Sequence, residues 1–431
     1  MRSGSLATLG FFTLWDQALV SVSSFAVMAL VGRLSKEELG VYALAMSTFW
    51  LIAGLPNAIA WIPYTARAAH LSGPDRDRFR GDSAGLSLLI GVVLSVISIL
   101  LAGFFWWILP EEKWLAWFFV AFAPLSITLT LREHARRVYI ADFQGSRLLS
   151  FDLPICVSLV AVAAIFYAAD SLTAPVAMAI TALTAAPALY VSLGQLNSVA
   201  TSTGRIIQAA KGNWHYGKWL MIVALAWLAS DGFLRWLLVA MKGQSAMGSF
   251  AGAFLIVSLV NPILLAMTSF ARSVASQRLA QGSRQDLVRG TVVSTRRLAI
   301  FAILAFAVLY GFGDPFMSLV LGATYANQPL VALLALAICL EAIAVPMEAS
   351  FVALEFGRLL SFVAVSRFAV SFLLGLLFIP GQSAGGVALA MVGRSLLVLS
   401  MYVYATVTVL RRFNIEPTGQ GTVGTGFQAS T

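Results

Sequence analysis

Of 431 residues, 59% are hydrophobic and only 11% charged, far below the roughly 25% charged residues of a soluble globular chain. Apolar stretches of ~18 residues or more recur along the whole length and leave no room for a soluble domain of useful size. The net charge of +9 does not indicate nucleic acid, because the basic residues lie in short segments between apolar runs, where they report membrane topology.

Taking charge, Pro and Gly as boundaries, the sequence predicts twelve spans, each with the ~20 residues a helix needs to cross the hydrocarbon core. The first six run near 8–32, 39–63, 84–109, 114–131, 152–169 and 173–194. The second six run near 218–240, 247–268, 298–321, 327–346, 359–379 and 384–408. A Gly- and Thr-rich tail, 414–431, reads as disordered. With both termini inside, 21 of the 28 Lys and Arg residues fall in cytoplasmic segments. Only four, Arg33, Lys36, Lys113 and Lys242, fall outside. One missed span would invert every later segment, so this split supports the twelve-span reading. Arg2 is not followed by a small-residue cleavage site and a second apolar run, so the first span is expected to stay as an anchor.

Cys156 and Cys339 both fall in apolar segments, which argues against a disulfide framework or a metal site. His70, His134 and His215 fall in basic cytoplasmic loops and read as solvated. No long outer loop carries paired carboxylates or a Ser/His/Asp set, so no catalytic residues are assigned and an enzyme ranks behind a transporter.

The spans hold charges. In the seventh, Ala224 to Leu237, Asp231 and Arg235 lie four residues apart and share one helix face. A lone charge at the centre of a membrane helix costs roughly 2.5–3.5 kcal/mol, so both must face protein or a water-filled cavity. The pair either lines a cavity or clamps neighbouring helices. Arg367 and Arg394 sit near the middle of their spans, and Asp16 and Glu341 add two acids. Arg33 and Arg67 read as interfacial, snorkelling towards water. Asp152, before Pro154, reads as a helix-start residue. Pro56, Pro124, Pro187 and Pro262 mark kinks, with Asn57 and Asn261 as polar neighbours.

The second half restates the first. Sliding by 208 residues places LGVYALAM, Leu39 to Met46, over MGSFAGAF, Met247 to Phe254, and matches Gly40 with Gly248. Both copies start from the same side, which makes a parallel repeat of two six-helix lobes, residues 1–212 and 213–413, around a central cleft. The fold class expected is all-α integral membrane.

The opening run FFTLWDQALVSVSSFAVMALVGRLSKEELGVYALAMS resembles the start of bacterial polysaccharide transport proteins, the flippases of lipid-linked oligosaccharides. The shared features are Gln17 and Ser21 in the first helix, then Arg33, Glu37, Glu38 and the segment Gly40 to Ala45. DPFMSLVLGATYANQPLVALLALA, Asp314 to Ala337, resembles a second family segment. The resemblance implies a member of the multidrug, oligosaccharidyl-lipid and polysaccharide exporter superfamily, located in the bacterial cytoplasmic membrane as a monomer. Its expected cargo is an undecaprenyl-pyrophosphate-linked glycan, with Arg235, Arg367 and Arg394 contacting the pyrophosphate. Asp16, Asp231 and Glu341 resemble the cation-coupling carboxylates of the related drug exporters, for a proton or sodium ion. No organic cofactor is implied. Membrane lipids, a glycan polymerase and glycosyltransferases are the expected partners. The alternatives are a cation-coupled multidrug exporter and, from another class, an enzyme or scaffold of glycan assembly.

Overall fold

The computed structural model describes residues 3–68, 71–197, 203–261, 284–354 and 356–415, with scattered positions between 262 and 283. All regular structure among them is helical. The first half contributes α1 (Ser3–Leu34), α2 (Lys36–Pro56), α3 (Ile62–Arg67), α4 (Gly73–Ile108), α5 (Lys113–Ala141), α6 (Gly145–Ala168), α7 (Ala174–Thr184) and α8 (Pro187–Asn197). The second contributes α9 (Thr203–Val257), α10 (Arg284–Leu321), α11 (Gln328–Ala353), α12 (Gly357–Gln382) and α13 (Ala384–Ile415).

Ten of the described helices are long and apolar enough to cross a membrane, and the pair α7 and α8, bent by 40°, passes the same test when its two helices are taken together. One of the ten, Leu225–Val260, holds two arms of α9. They meet at Gly243, whose φ of 81° and ψ of −179° break the helix. The second arm folds back, bringing the Phe254 ring to 4.9 Å from the Arg235 guanidinium. The chain is a multi-pass membrane protein, and the eighth expected span, 247–268, runs partly outside the described residues.

Local sequence sets the boundaries. Ser35 caps α2, its hydroxyl accepting the Glu38 N–H at 3.1 Å, and Glu37 and Glu38 complement the positive end of the helix. Glu38 also accepts the N–H of Ala174 at the start of α7, tying two spans at one pole. Pro56 cannot donate, and the helix relaxes into a π-helical turn, Asn57–Trp61, before α3. Pro124 and Pro187 also fall in or at helices, α5 and α8. Pro262 lies outside the described residues.

Burial separates central from peripheral spans. Along Lys36–Thr65, which joins α2 to α3, 72% of the apolar window is buried. The figure is 22% to 28% for α1, α4 and α10, whose Val, Ile and Leu side chains are left for lipid. Helix α2 packs against α9: Gly54 lies against Leu225 and Leu228, and Gly232 against Leu51. This seam is where the two halves meet.

Three expectations need correction. The fourth span does not end at 131, because no helix breaker occurs before the turn at 142–144. Helix α5 continues to Ala141, so Arg132, Glu133 and His134 are buried in it instead of solvated in a loop. His134 packs edge-on to Tyr64 at 6.1 Å. Asp152 is not a helix-start residue but the eighth residue of α6, fully buried. Arg33 is exposed and donates to the carbonyls of Leu319 and Val320 at the end of α10, at 3.0 and 2.8 Å. Helix α13 reaches Ile415, so the tail expected from 414 begins inside a helix. Residues 416–431, His70 and the side chain of His215 lie outside the described residues.

Gly243 has open space where a Cβ would stand, so only its backbone conformation demands glycine. That region of φ and ψ costs any other residue about 1–3 kcal/mol. Gly243→Val is expected to lower the unfolding temperature of the detergent-solubilised protein, whereas Gly103→Val, in open space without the strained angles, leaves it unchanged.

Candidate functional site

Each lobe holds a cluster of charged side chains drawn from several helices. In the first lobe the centre is Arg136 of α5. Its guanidinium lies 2.7 Å from Asp16 of α1, 2.8 Å from Glu133 and 2.8 Å from Asp152 of α6. Arg132, one turn earlier, binds the other oxygen of Asp152 at 2.7 Å and donates to the Cys156 sulfur at 3.4 Å. Asp16 and Asp152 are fully buried. Three carboxylates face two guanidinium groups, which leaves one surplus negative charge among these five residues. Asp16 Oδ1 has no hydrogen-bond partner.

In the second lobe the cluster joins α9, α11, α12 and α13. Arg394 lies 2.5 Å from Asp231 and 3.2 Å from Glu341. Arg367 lies 2.9 Å from Glu341 and 3.7 Å from Asp231. Ser230 accepts from both arginines, at 3.0 and 3.4 Å, and Ser395 donates to Glu341 at 3.2 Å. The Trp227 ring covers Arg367, with the guanidinium carbon 3.8 Å from its centroid. Two acids balance two bases.

The exposure within this cluster is one-sided. Both arginine side chains are 1% exposed, whereas Asp231 keeps 31% and Glu341 24% of its surface. The cations form the floor and the carboxylates the rim. Trp227, one helical turn before Asp231, is also exposed, at 38%. An exposed indole beside two carboxylate edges is suited to a flat or alkylated cation, through ring contact and charge together.

All three arginines and all three acids singled out from the sequence are placed, but in different company. Arg367 and Arg394 meet Asp231 and Glu341. Asp16 joins the opposite lobe's cluster. Asp231 pairs with Arg394 and Arg367, reached from other helices, and Arg235 on its own helix acts on it as a third, more distant cation. Arg235, partly buried, lies 4.9 and 5.8 Å from the rings of Phe254 and Phe250 and makes no ion pair among the described residues. Sequence reading missed Arg132, Glu133, Arg136 and Asp152, as well as Trp227, Ser230 and Ser395. A signal existed for the first group: the four-residue spacing of Arg132 and Arg136 continues the helical period of the fourth span.

Comparison with known proteins supports the architecture. A family model described as MatE matches residues 13–121. No curated protein matches the sequence. A solved structure described as the inward-facing conformation of a multidrug resistance MATE family transporter of the MOP superfamily is 14% identical. It aligns over 92% of this chain and 96% of that one, with a TM-score of 0.72. Its outward-facing counterpart, 15% identical, aligns over 95% and 96% with a TM-score of 0.64. A MOP superfamily transporter from Pyrococcus furiosus Vc1, whose binding pocket is described as of reverse polarity, is 13% identical, aligning over 94% and 96% with a TM-score of 0.58.

Removing one partner of a buried ion pair costs about 3–5 kcal/mol, since it strands the other charge. Arg136→Met takes the ion-pair partner from Asp16 and Glu133, leaving Asp152 to Arg132, and is expected to destabilise the purified protein by that order in thermal unfolding. Arg235→Met gives up ring contacts and a longer-range attraction to Asp231, with no ion pair within 4 Å, and is expected to cost less, about 1–2 kcal/mol. Equal stability of the Arg136 variant and the wild type would contradict this assignment. In sum, the chain has the all-helical, two-lobed membrane fold of the MATE transporters, with a MatE match confined to its first quarter.

Proposed function

We propose that the chain is a secondary exporter of the bacterial cytoplasmic membrane. It works by alternating access between its two lobes and exchanges an amphipathic organic cation for a proton or sodium ion. The observation that carries the choice of cargo is the rim of the second-lobe cluster, where carboxylates and an indole are exposed and the guanidinium groups are not. An anionic pyrophosphate would meet Asp231 and Glu341 before it met Arg367 or Arg394. The structural relatives described as multidrug transporters favour the same reading. In it Asp231 and Glu341 receive the cation, and Arg367 and Arg394 position them. Asp16, fully buried in the three-acid cluster of the first lobe, serves the coupling ion.

Two inverted states and a shared site are what such a cycle requires. Leaving out Arg132 and Arg136, which lie in the α5 cluster, 19 basic residues fall on one side and four on the other, and this distribution supports cytoplasmic termini.

A second reading, the lipid-linked oligosaccharide flippase, is favoured by Arg235, a partly buried cation attracted to Asp231 one turn away but in no ion pair within 4 Å among the described residues. There it would meet the pyrophosphate, by the planar, bidentate hydrogen bonding a guanidinium offers, and the glycan polymerase and glycosyltransferases would be functional partners. The two readings separate in proteoliposomes. Protein-dependent, gradient-dependent movement of ethidium, falling at least tenfold in Asp231→Asn and Glu341→Gln, is expected. Movement of a fluorescent undecaprenyl-pyrophosphate oligosaccharide without movement of ethidium would replace the first reading by the second.

A further inference from the structure

At the pole where α1 turns into α2, the lobes touch backbone to backbone. A Cβ on Gly40 would overlap the carbonyl oxygen of Gln244 and stand 2.9 Å from the Gly248 nitrogen. A Cβ on Gly248 would overlap the Lys36 carbonyl oxygen and stand 2.8 Å from the Lys36 Cα. Gly248 follows Gly40 by 208 residues, and Gln244 follows Lys36 by 208. The same contact is therefore made twice, once in each direction, about the axis relating the two lobes. The sequence repeat and the contact are one feature.

Around this pair lie bonds that reach from one lobe to the other. Tyr325 donates to the Gly32 carbonyl at 2.9 Å, and the Lys36 ammonium lies 5.4 Å from the Tyr325 ring centroid. Arg33 holds the last carbonyls of α10. Trp236 donates to Thr48 at 2.9 Å and packs on Phe118 at 5.7 Å. Most of these bonds use backbone carbonyls or ring faces, groups that water can replace when the lobes part. The contact is close enough to exclude water but involves no carboxylate–guanidinium pair.

We infer that Gly40 and Gly248 form a reversible gate, which closes the cleft at this pole only because neither position carries a side chain. The inference rests on the alternating-access reading but is tested without transport. Spin labels on Ser171→Cys and Gln382→Cys, at the same pole of the two lobes, report their separation by pulsed dipolar spectroscopy in nanodiscs, in a Cys156→Ala, Cys339→Ala background. The wild type should give a dominant short distance and a minor longer one. Gly40→Leu and Gly248→Leu should each make the longer distance dominant, and the open-space control Gly103→Leu should match the wild type.

Unchanged distances in both glycine variants would overturn the gate. So would failure of both to accumulate in the membrane while Gly103→Leu accumulates, because the glycines would then serve lobe assembly alone. Should ethidium and the lipid-linked glycan both fail to move while the distances shift as described, the gate stands and the cargo reading falls.

Discussion

A guanidinium enclosed by apolar helices must find acceptors, and the packing of this protein follows from where Arg136 and Arg394 find theirs. Insertion alone would penalise each by roughly 2.5–3.5 kcal/mol. Arg136 offsets that cost by joining α5 to α1 and α6, and Arg394 by joining α13 to α9 and α11. Each lobe thus has a polar centre that specifies which helices are neighbours, in a setting where apolar contact with lipid and with protein differ little. Among the side chains in direct contact, three acids face two guanidinium groups in the first lobe and two face two in the second, with Arg137 and Arg235 adding their charge from further away.

Between the lobes the chemistry is of another kind. The seam along α2 and α9 is built from glycine against leucine and, at the pole, from glycine against backbone. Contacts of that type are short-ranged and are lost in a small movement. Among the described residues, ion pairs are kept within the lobes, and the lobes meet through close glycine contacts and hydrogen bonds such as those of Arg33 and Tyr325. Rigid bodies joined by a breakable seam are what alternating access requires.

Much of the fold was legible in the sequence because apolar length and basic loops are strong signals in a membrane chain. The repeat was legible through Gly40 and Gly248, although its spatial meaning was not: sequence spacing shows equivalence, not contact. The sites were legible only as residues. Arg367, Arg394, Asp231 and Glu341 stood out because charges in spans are rare, but their pairing depends on how four helices converge, and no local pattern reports that. Asp231 and Arg235 show the limit most clearly. Four-residue spacing keeps the two charges coupled, yet the ion pairs of Asp231 are made with Arg394 and Arg367 from other helices, and the Arg235 guanidinium packs on Phe250 and Phe254 of the returning arm. Arg132 and Arg136 were lost to a rule that places arginines outside spans, which fails when a helix brings its own acids.

The central claim is that the exposed face of the second-lobe site is anionic and aromatic and receives a cation. Equilibrium binding of radiolabelled tetraphenylphosphonium to the purified protein tests it most directly. The account predicts saturable binding that is lost when Asp231→Asn and Glu341→Gln are combined, and weakened in Trp227→Ala. Absence of binding to the wild type, or binding indifferent to both carboxylates, would contradict it.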